Sequence, residues 1–114
     1  PGLARLGEHD WTAFGTMGGY MQPQGHVQVI SNLVDYDMPL QAALDAPRWR
    51  YREDGAVALE DRFGRGIAPK LARRGHDVRV EPPRSFGGSQ IVRNHGGTLS
   101  GATEPRKDGH VSPL

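Results

Sequence analysis

The stretch Phe14-Gly15-Thr16-Met17-Gly18-Gly19-Tyr20-Met21-Gln22-Pro23-Gln24-Gly25-His26-Val27-Gln28 decides how this chain folds. Just before it, Asp10-Trp11-Thr12-Ala13-Phe14 alternates polar and apolar residues and meets Gly15, which reads as a short strand running into a glycine-rich turn, Gly15 to Gly19. Beyond the turn, from about Gln22 to Tyr36, Val27, Ile30 and Val34 form one helical stripe and Val29, Leu33 and Tyr36 another. Two adjacent stripes predict a helix that is apolar around much of its girth and buried between layers.

Working outward, Asp37 is placed to cap a second short helix, Pro39 to Leu44, with Pro39 in the first turn and Pro47 ending the segment. Val57 to Glu60 reads as a strand. Ile67 to Arg74 reads as a helix, with Arg73 and Arg74 in its last turn and Gly75 as the left-handed residue beyond its end. Asp77 to Glu81 alternates as a half-exposed strand closed by Pro82-Pro83. Ser89 to Arg93 and Thr98 to Gly101, joined by Asn94-His95-Gly96-Gly97, predict a hairpin. The tail from Glu104 has little apolar content with which to hold itself down. The order strand, helix, helix, strand, helix, strand, strand, strand predicts a mixed α+β layered piece, with no internal repeat and no dividing linker.

The bulk composition agrees with a part rather than a self-sufficient globule: 114 residues are 36% hydrophobic, with Gly 16 and Pro 9. A chain this short buries about two-thirds of its unfolded surface at best. The absence of cysteine excludes a disulfide framework and thiolate metal sites. No apolar run reaches the roughly 20 residues of a membrane-spanning helix, and Pro1-Gly2-Leu3-Ala4-Arg5 is no signal peptide, so a soluble piece with no membrane partner is expected and the compartment stays open. The start without Met reads as a processing point, a boundary or a lost segment. A net charge of +1, with acids interspersed among Arg48, Arg50, Arg52, Arg73, Arg74 and Arg79, lacks the one-sided basic face of a nucleic-acid binder.

Few residues offer chemistry. His9, His26, His76, His95 and His110 are scattered without ligand spacing, so neither a metal nor another cofactor is expected; His26 reads as a hydrogen-bonded structural residue and His76 as solvent-facing. No Gly-x-Ser-x-Gly elbow is present, and Pro1 carries no side-chain nucleophile of the kind an N-terminal Thr, Ser or Cys would supply. What remains is Met17-Gly18-Gly19, joining a strand to a helix start. Two glycines let backbone N–H groups approach a ligand near a helix N-terminus, which is the geometry of an oxyanion hole. The same pair also fits an ordinary tight turn.

The quoted stretch, followed by Ala43-Leu44-Asp45-Ala46-Pro47-Arg48-Trp49, resembles the small-subunit core of the γ-glutamyltranspeptidase family. Leu71 to His76, Gly88-Ser89-Gln90-Ile91 and Gly101-Ala102-Thr103-Glu104-Pro105-Arg106 resemble that family's later motifs in the same order, so the resemblance spans nearly the whole chain. The Met-Gly-Gly-Tyr-Met-Gln-Pro-Gln form is similar to acylase-like members, where the glutathione-cleaving enzymes usually carry Pro-Gly-Gly-Ser.

The resemblance implies an αββα N-terminal-nucleophile hydrolase sandwich, of which residues 1–114 form the C-terminal segment of the small subunit as a single partial domain. It implies a precursor that cuts itself to free a Thr, which attacks a γ-glutamyl amide. Gly18 and Gly19 match the family's oxyanion glycines, and Tyr20 and Met21 follow them toward an acyl or acceptor pocket or simply pack the helix start. The Thr, the glutamyl-gripping residues and the large subunit are expected outside this chain, together with a small γ-glutamyl or related amide substrate. Arg48 and Arg106 read as structural ion-pair anchors, with Glu104 replacing the family's usual Asp. The alternative is a non-catalytic scaffold that binds acyl-amino acids or a protein partner.

Overall fold

Alternation along Asp10–Met17 is what builds the larger sheet, because every second residue faces a helix layer and the others face away. In the computed structural model, which describes residues 1–113, the chain divides into two units, Pro1–Ala46 with Gly87–Leu114, and Pro47–Phe86. No helix among the described residues is long and apolar enough to cross a membrane.

The first unit is an antiparallel sheet in the order β1-β2-β6-β7, from Gly2–Gly7, Asp10–Met17, Gly88–His95 and Thr98–Thr103. Cross-strand register aligns Phe14 with Ile91 and Ile91 with Ala102. On that face lie helix α1 (Met21–Val34) and helix α2 (Leu40–Asp45), and Val29, Leu33, Ala43, Leu44, Ile91 and Ala102 close the core. Leu44 is wholly buried, so truncation to Ala would cost about 2–5 kcal/mol.

The opposite face carries Leu3, Trp11, Val92 and Leu99, all exposed. Strand β1, absent from the sequence-based expectation, pairs with β2 from Gly2↔Phe14 to Gly7↔Asp10. The expected short strand at Asp10 runs on to Met17.

Helix α1 departs from the expectation of burial around its girth. It buries one i,i+4 row, Met21, Gly25, Val29 and Leu33, while Val27 and Val34 are exposed. The reason is that one sheet covers one side of the helix. Asp37 does not cap α2; it takes a left-handed backbone (φ 49°), and the helix begins after Pro39 without a side-chain cap.

The tail is also better held than its composition suggests. Glu104 is buried; its carboxylate accepts from the Ser89 N–H at 2.6 Å and from Arg106 Nη1 at 2.6 Å. Arg106 then donates to the Leu44 and Ala46 carbonyls at 2.9 and 2.8 Å. Charge-assisted hydrogen bonds, rather than apolar contact, tie this segment to the end of α2.

The second unit holds strands β3 (Trp49–Tyr51), β4 (Val57–Glu60) and β5 (Val78–Glu81), with β3 antiparallel and β5 parallel to β4. The parallel pair requires a crossover, supplied by helix α3 (Ile67–Arg73). Gly75 (φ 93°) ends α3 as predicted, with Gly75 N–H donating to the Ala72 carbonyl and His76 N–H to that of Leu71. Arg48 is buried, its N–H donating to Glu60 at 2.9 Å and its guanidinium to the Phe86 carbonyl at 3.2 Å. Both arginines singled out in the sequence are therefore structural.

Candidate active site

The turn after β2 takes the shape that only glycine adopts cheaply. Gly18 and Gly19 have φ of 131° and 58°, and a Cβ on Gly18 would stand 3.2 Å from both the Gly87 Cα and the Met21 Cβ. Gly87 is equally constrained: with φ 74°, its Cβ would collide with the Met17 carbonyl oxygen. Two glycines, Gly18 just after β2 and Gly87 just before β6, thus let the chain turn from β2 into α1 at close range.

The hydrogen bonds at this helix start leave a local surplus of donors. Met21 N–H donates to the Gly18 carbonyl at 3.1 Å and Gln22 N–H to that of Gly19 at 2.9 Å. Pro23 has no N–H, and Tyr20, at the cap position, makes no side-chain cap bond. The Gly18, Gly19 and Tyr20 N–H groups donate to no protein acceptor among the described residues. No acidic side chain occupies the first turn of α1. The positive end of the helix dipole thus receives no counter-charge from the helix's own first turn.

Thr16 sets the position of the turn relative to α1. Its N–H donates to His26 Nε2 at 3.0 Å, and its hydroxyl shares a 2.7 Å hydrogen bond with Ser89 Oγ. A Cβ on Gly25 would come within 2.6 Å of the Thr16 methyl, so Gly25 allows α1 to seat on the strand. His26 also meets Phe14 edge-on, with centroids 5.0 Å apart. Burial pushes the His26 imidazole below its ordinary value, which favours the neutral form able to accept this hydrogen bond.

Tyr20 is 80% exposed, and its carbonyl accepts from the Gln24 side chain at 3.2 Å, whereas Met21 is buried and packs the helix start. His26 takes the structural role expected of it, and His76 is exposed.

Sequence reading missed the Thr16–Ser89 pair. It also missed a cluster at the other end of β2, where Arg93 donates to both Asp10 oxygens at 2.8 and 2.5 Å and His95 Nδ1 lies 3.2 Å away. The Arg93 hydrogen bonds, opposed by burial and aided by His95, lower the Asp10 carboxyl to about 2. Both pairs follow from the β2–β6 register, which no local pattern reveals.

A γ-glutamyltranspeptidase from Pseudomonas nitroreducens, solved with L-DON, superposes with a TM-score of 0.85 over 100% of this chain and 61% of its own; at 22% identity it shows the fold alone. The profile of the gamma-glutamyltranspeptidase family matches residues 1–114, and the chain belongs to that family.

Cephalosporin acylase from Bacillus halodurans is 48% identical, with a TM-score of 0.81 over 87% of this chain and 19% of its own. The oxamate amidohydrolase proenzyme of Klebsiella pneumoniae is 33% identical over 96% of this chain, which spans 22% of that relative's length.

Proposed function

We propose that this chain is the segment of a self-processing amide-cleaving enzyme that supplies the oxyanion hole, with the Gly18 and Gly19 N–H groups as donors. The observation that supports this reading is the set of uncommitted N–H groups at a helix start, held by two positive-φ glycines. When a nucleophile adds to an amide carbonyl, charge develops on its oxygen, and a preorganised donor there lowers the barrier by about 3 kcal/mol.

The nucleophile is a Thr on polypeptide outside this chain, freed by cleavage of the precursor. The large subunit and the upstream part of the small subunit are the partners, and the exposed sheet face of Leu3, Trp11, Val92 and Leu99 is the surface for the second sheet of the sandwich. The substrate is a small γ-glutamyl or related amide, with Tyr20 at the rim of its site. Similarity to a cephalosporin acylase and an oxamate amidohydrolase favours an amidase of the acylase-like branch.

The test is to express the full-length precursor, read the N-terminal residue of every chain by intact mass, and measure turnover of γ-glutamyl-4-nitroanilide and oxamate. A chain beginning with Thr, with turnover that falls on the order of a hundredfold in Gly18→Ala, is expected. A folded particle with no free N-terminal Thr sinks the reading and leaves the non-catalytic scaffold.

A further inference from the structure

We propose that Thr16 and Ser89 form a positioning pair for the Gly18–Gly19 turn, with Glu104 as the anchor that holds Ser89; this rests on the oxyanion role proposed above. The two hydroxyls lie 2.7 Å apart, and both residues are buried. Thr16 aims its N–H at His26, away from β6, which makes Thr16–Ser89 a non-hydrogen-bonded cross-strand pair, the kind whose side chains approach most closely.

The location of this bond is what separates it from ordinary packing. Thr16 is two residues before Gly18, and Ser89 is two residues after Gly87, whose Cα lies against Gly18. The hydroxyl bond is therefore the last side-chain tie between β2 and β6 before both strands pass into the touching glycines. An apolar pair would fill the same space without burying two hydroxyls, and a neutral hydrogen bond contributes little net stability. What the pair adds is direction.

From Ser89 the restraint continues. Its N–H donates to Glu104 Oε2 at 2.6 Å, Glu104 Oε1 accepts from Arg106 Nη1, and Arg106 holds the Leu44 and Ala46 carbonyls. A chain of buried polar contacts thus runs from the end of α2 to the base of the turn. Donors meant for a developing oxyanion must stay within a fraction of an ångström of their place, since a 1 Å error costs roughly a hundredfold in rate. Neither Thr16, Ser89 nor Glu104 touches the reacting atoms in this scheme; they act through the glycine backbone.

The experiment uses the full-length processed protein and whichever of γ-glutamyl-4-nitroanilide and oxamate the parent turns over faster. Ser89→Ala and Thr16→Val are each expected to lower kcat on the order of tenfold, with KM within about twofold, because transition-state alignment is lost and substrate contact is not. The double variant is expected to be no slower than either single, the mark of one shared interaction. Thr16→Ser, which keeps the hydroxyl, is expected to retain kcat.

Unchanged kcat in folded Ser89→Ala, or losses that multiply in the double variant, overturns the proposal. Should Ser89→Ala prove insoluble, Thr16→Ser decides: a tenfold loss at unchanged melting temperature would assign the role to the methyl and overturn the hydroxyl pair. Gly18→Ala is measured in parallel. If it keeps full kcat, the oxyanion reading falls and the positioning role with it. If it is impaired while Ser89→Ala is not, the positioning role alone falls. A cleaved parent that turns over neither substrate overturns both.

Discussion

The chain contains two Gly-Gly turns with left-handed backbones, and they do opposite things with their donors. At Gly96-Gly97 (φ 56° and 87°) the pair joins β6 to β7 as a hairpin, and both N–H groups are taken: Gly96 donates to the His9 carbonyl at 2.8 Å and Gly97 to Asn94 Oδ1 at 3.0 Å. At Gly18-Gly19 the pair leads into a helix and both N–H groups remain without a protein acceptor among the described residues. A dipeptide that closes a hairpin in one place presents donors in the other. The difference lies in what surrounds it: the hairpin glycines have the His9 carbonyl and Asn94 Oδ1 as acceptors, and a Cβ at Gly96, Gly97 or Gly19 meets nothing within 4 Å, whereas Gly18 is pressed between Gly87 and Met21.

The largest effect that would break this contrast is expected at Gly87. An alanine there must move the Met17 carbonyl and adopt φ 74°, so Gly87→Ala should cost about 3 kcal/mol or more and collapse the turn, read as a drop in denaturation midpoint and loss of activity together.

Gly18→Ala and Gly96→Ala then sharpen the comparison. Both impose positive φ on a side chain and should each cost about 1–2 kcal/mol in chemical denaturation. Only Gly18→Ala should abolish most turnover; an equal loss from Gly96→Ala would mean that the two turns do not differ in role. Asn94→Ala is a smaller perturbation, removing the acceptor for Gly97 at an expected cost of about 1 kcal/mol with kcat intact.

The smallest effects are those of pH, one for each end of β2. His26 is depressed, so the unfolded chain binds the proton more readily; this contribution to stability is full above the ordinary value of 6.5 and is lost as pH falls from there through the depressed value of the folded state. Asp10 is lowered from 3.8 to about 2, so its contribution is full above 3.8 and is lost between there and about 2. Thermal melts across pH should show two separate declines. His26→Gln should remove the upper one and Arg93→Met should weaken the lower, to which the lowered Asp54 and Glu81 also contribute, and a single decline in the parent would refute the assignment.

Much of the architecture was legible because it is written locally. The alternation at Asp10 to Phe14, the paired prolines after Glu81 and the Gly75 helix end each follow from side-chain period or backbone freedom within a few residues. The misjudgements share a cause. Tyr36 and Val34 have the hydrophobicity of core residues, but one sheet covers only one side of α1. Glu104 and Arg106 look like tail residues until the register of β6 and β7 brings them to Ser89 and to the end of α2.

By itself the sequence determined most of the elements, though not β1 or β3, the turn at Gly18-Gly19 and, through ordered motifs, membership of the γ-glutamyltranspeptidase family. Only the tertiary structure decided which Gly-Gly pair keeps its donors available, that Gly87 makes the close turn possible, and that Thr16 meets Ser89. Helical and strand periods are properties of neighbours along the chain. Hydrogen-bond acceptors and steric limits for these residues come from positions as distant in sequence as His9 from Gly96 and Thr16 from Ser89, and they exist only once the strands have paired.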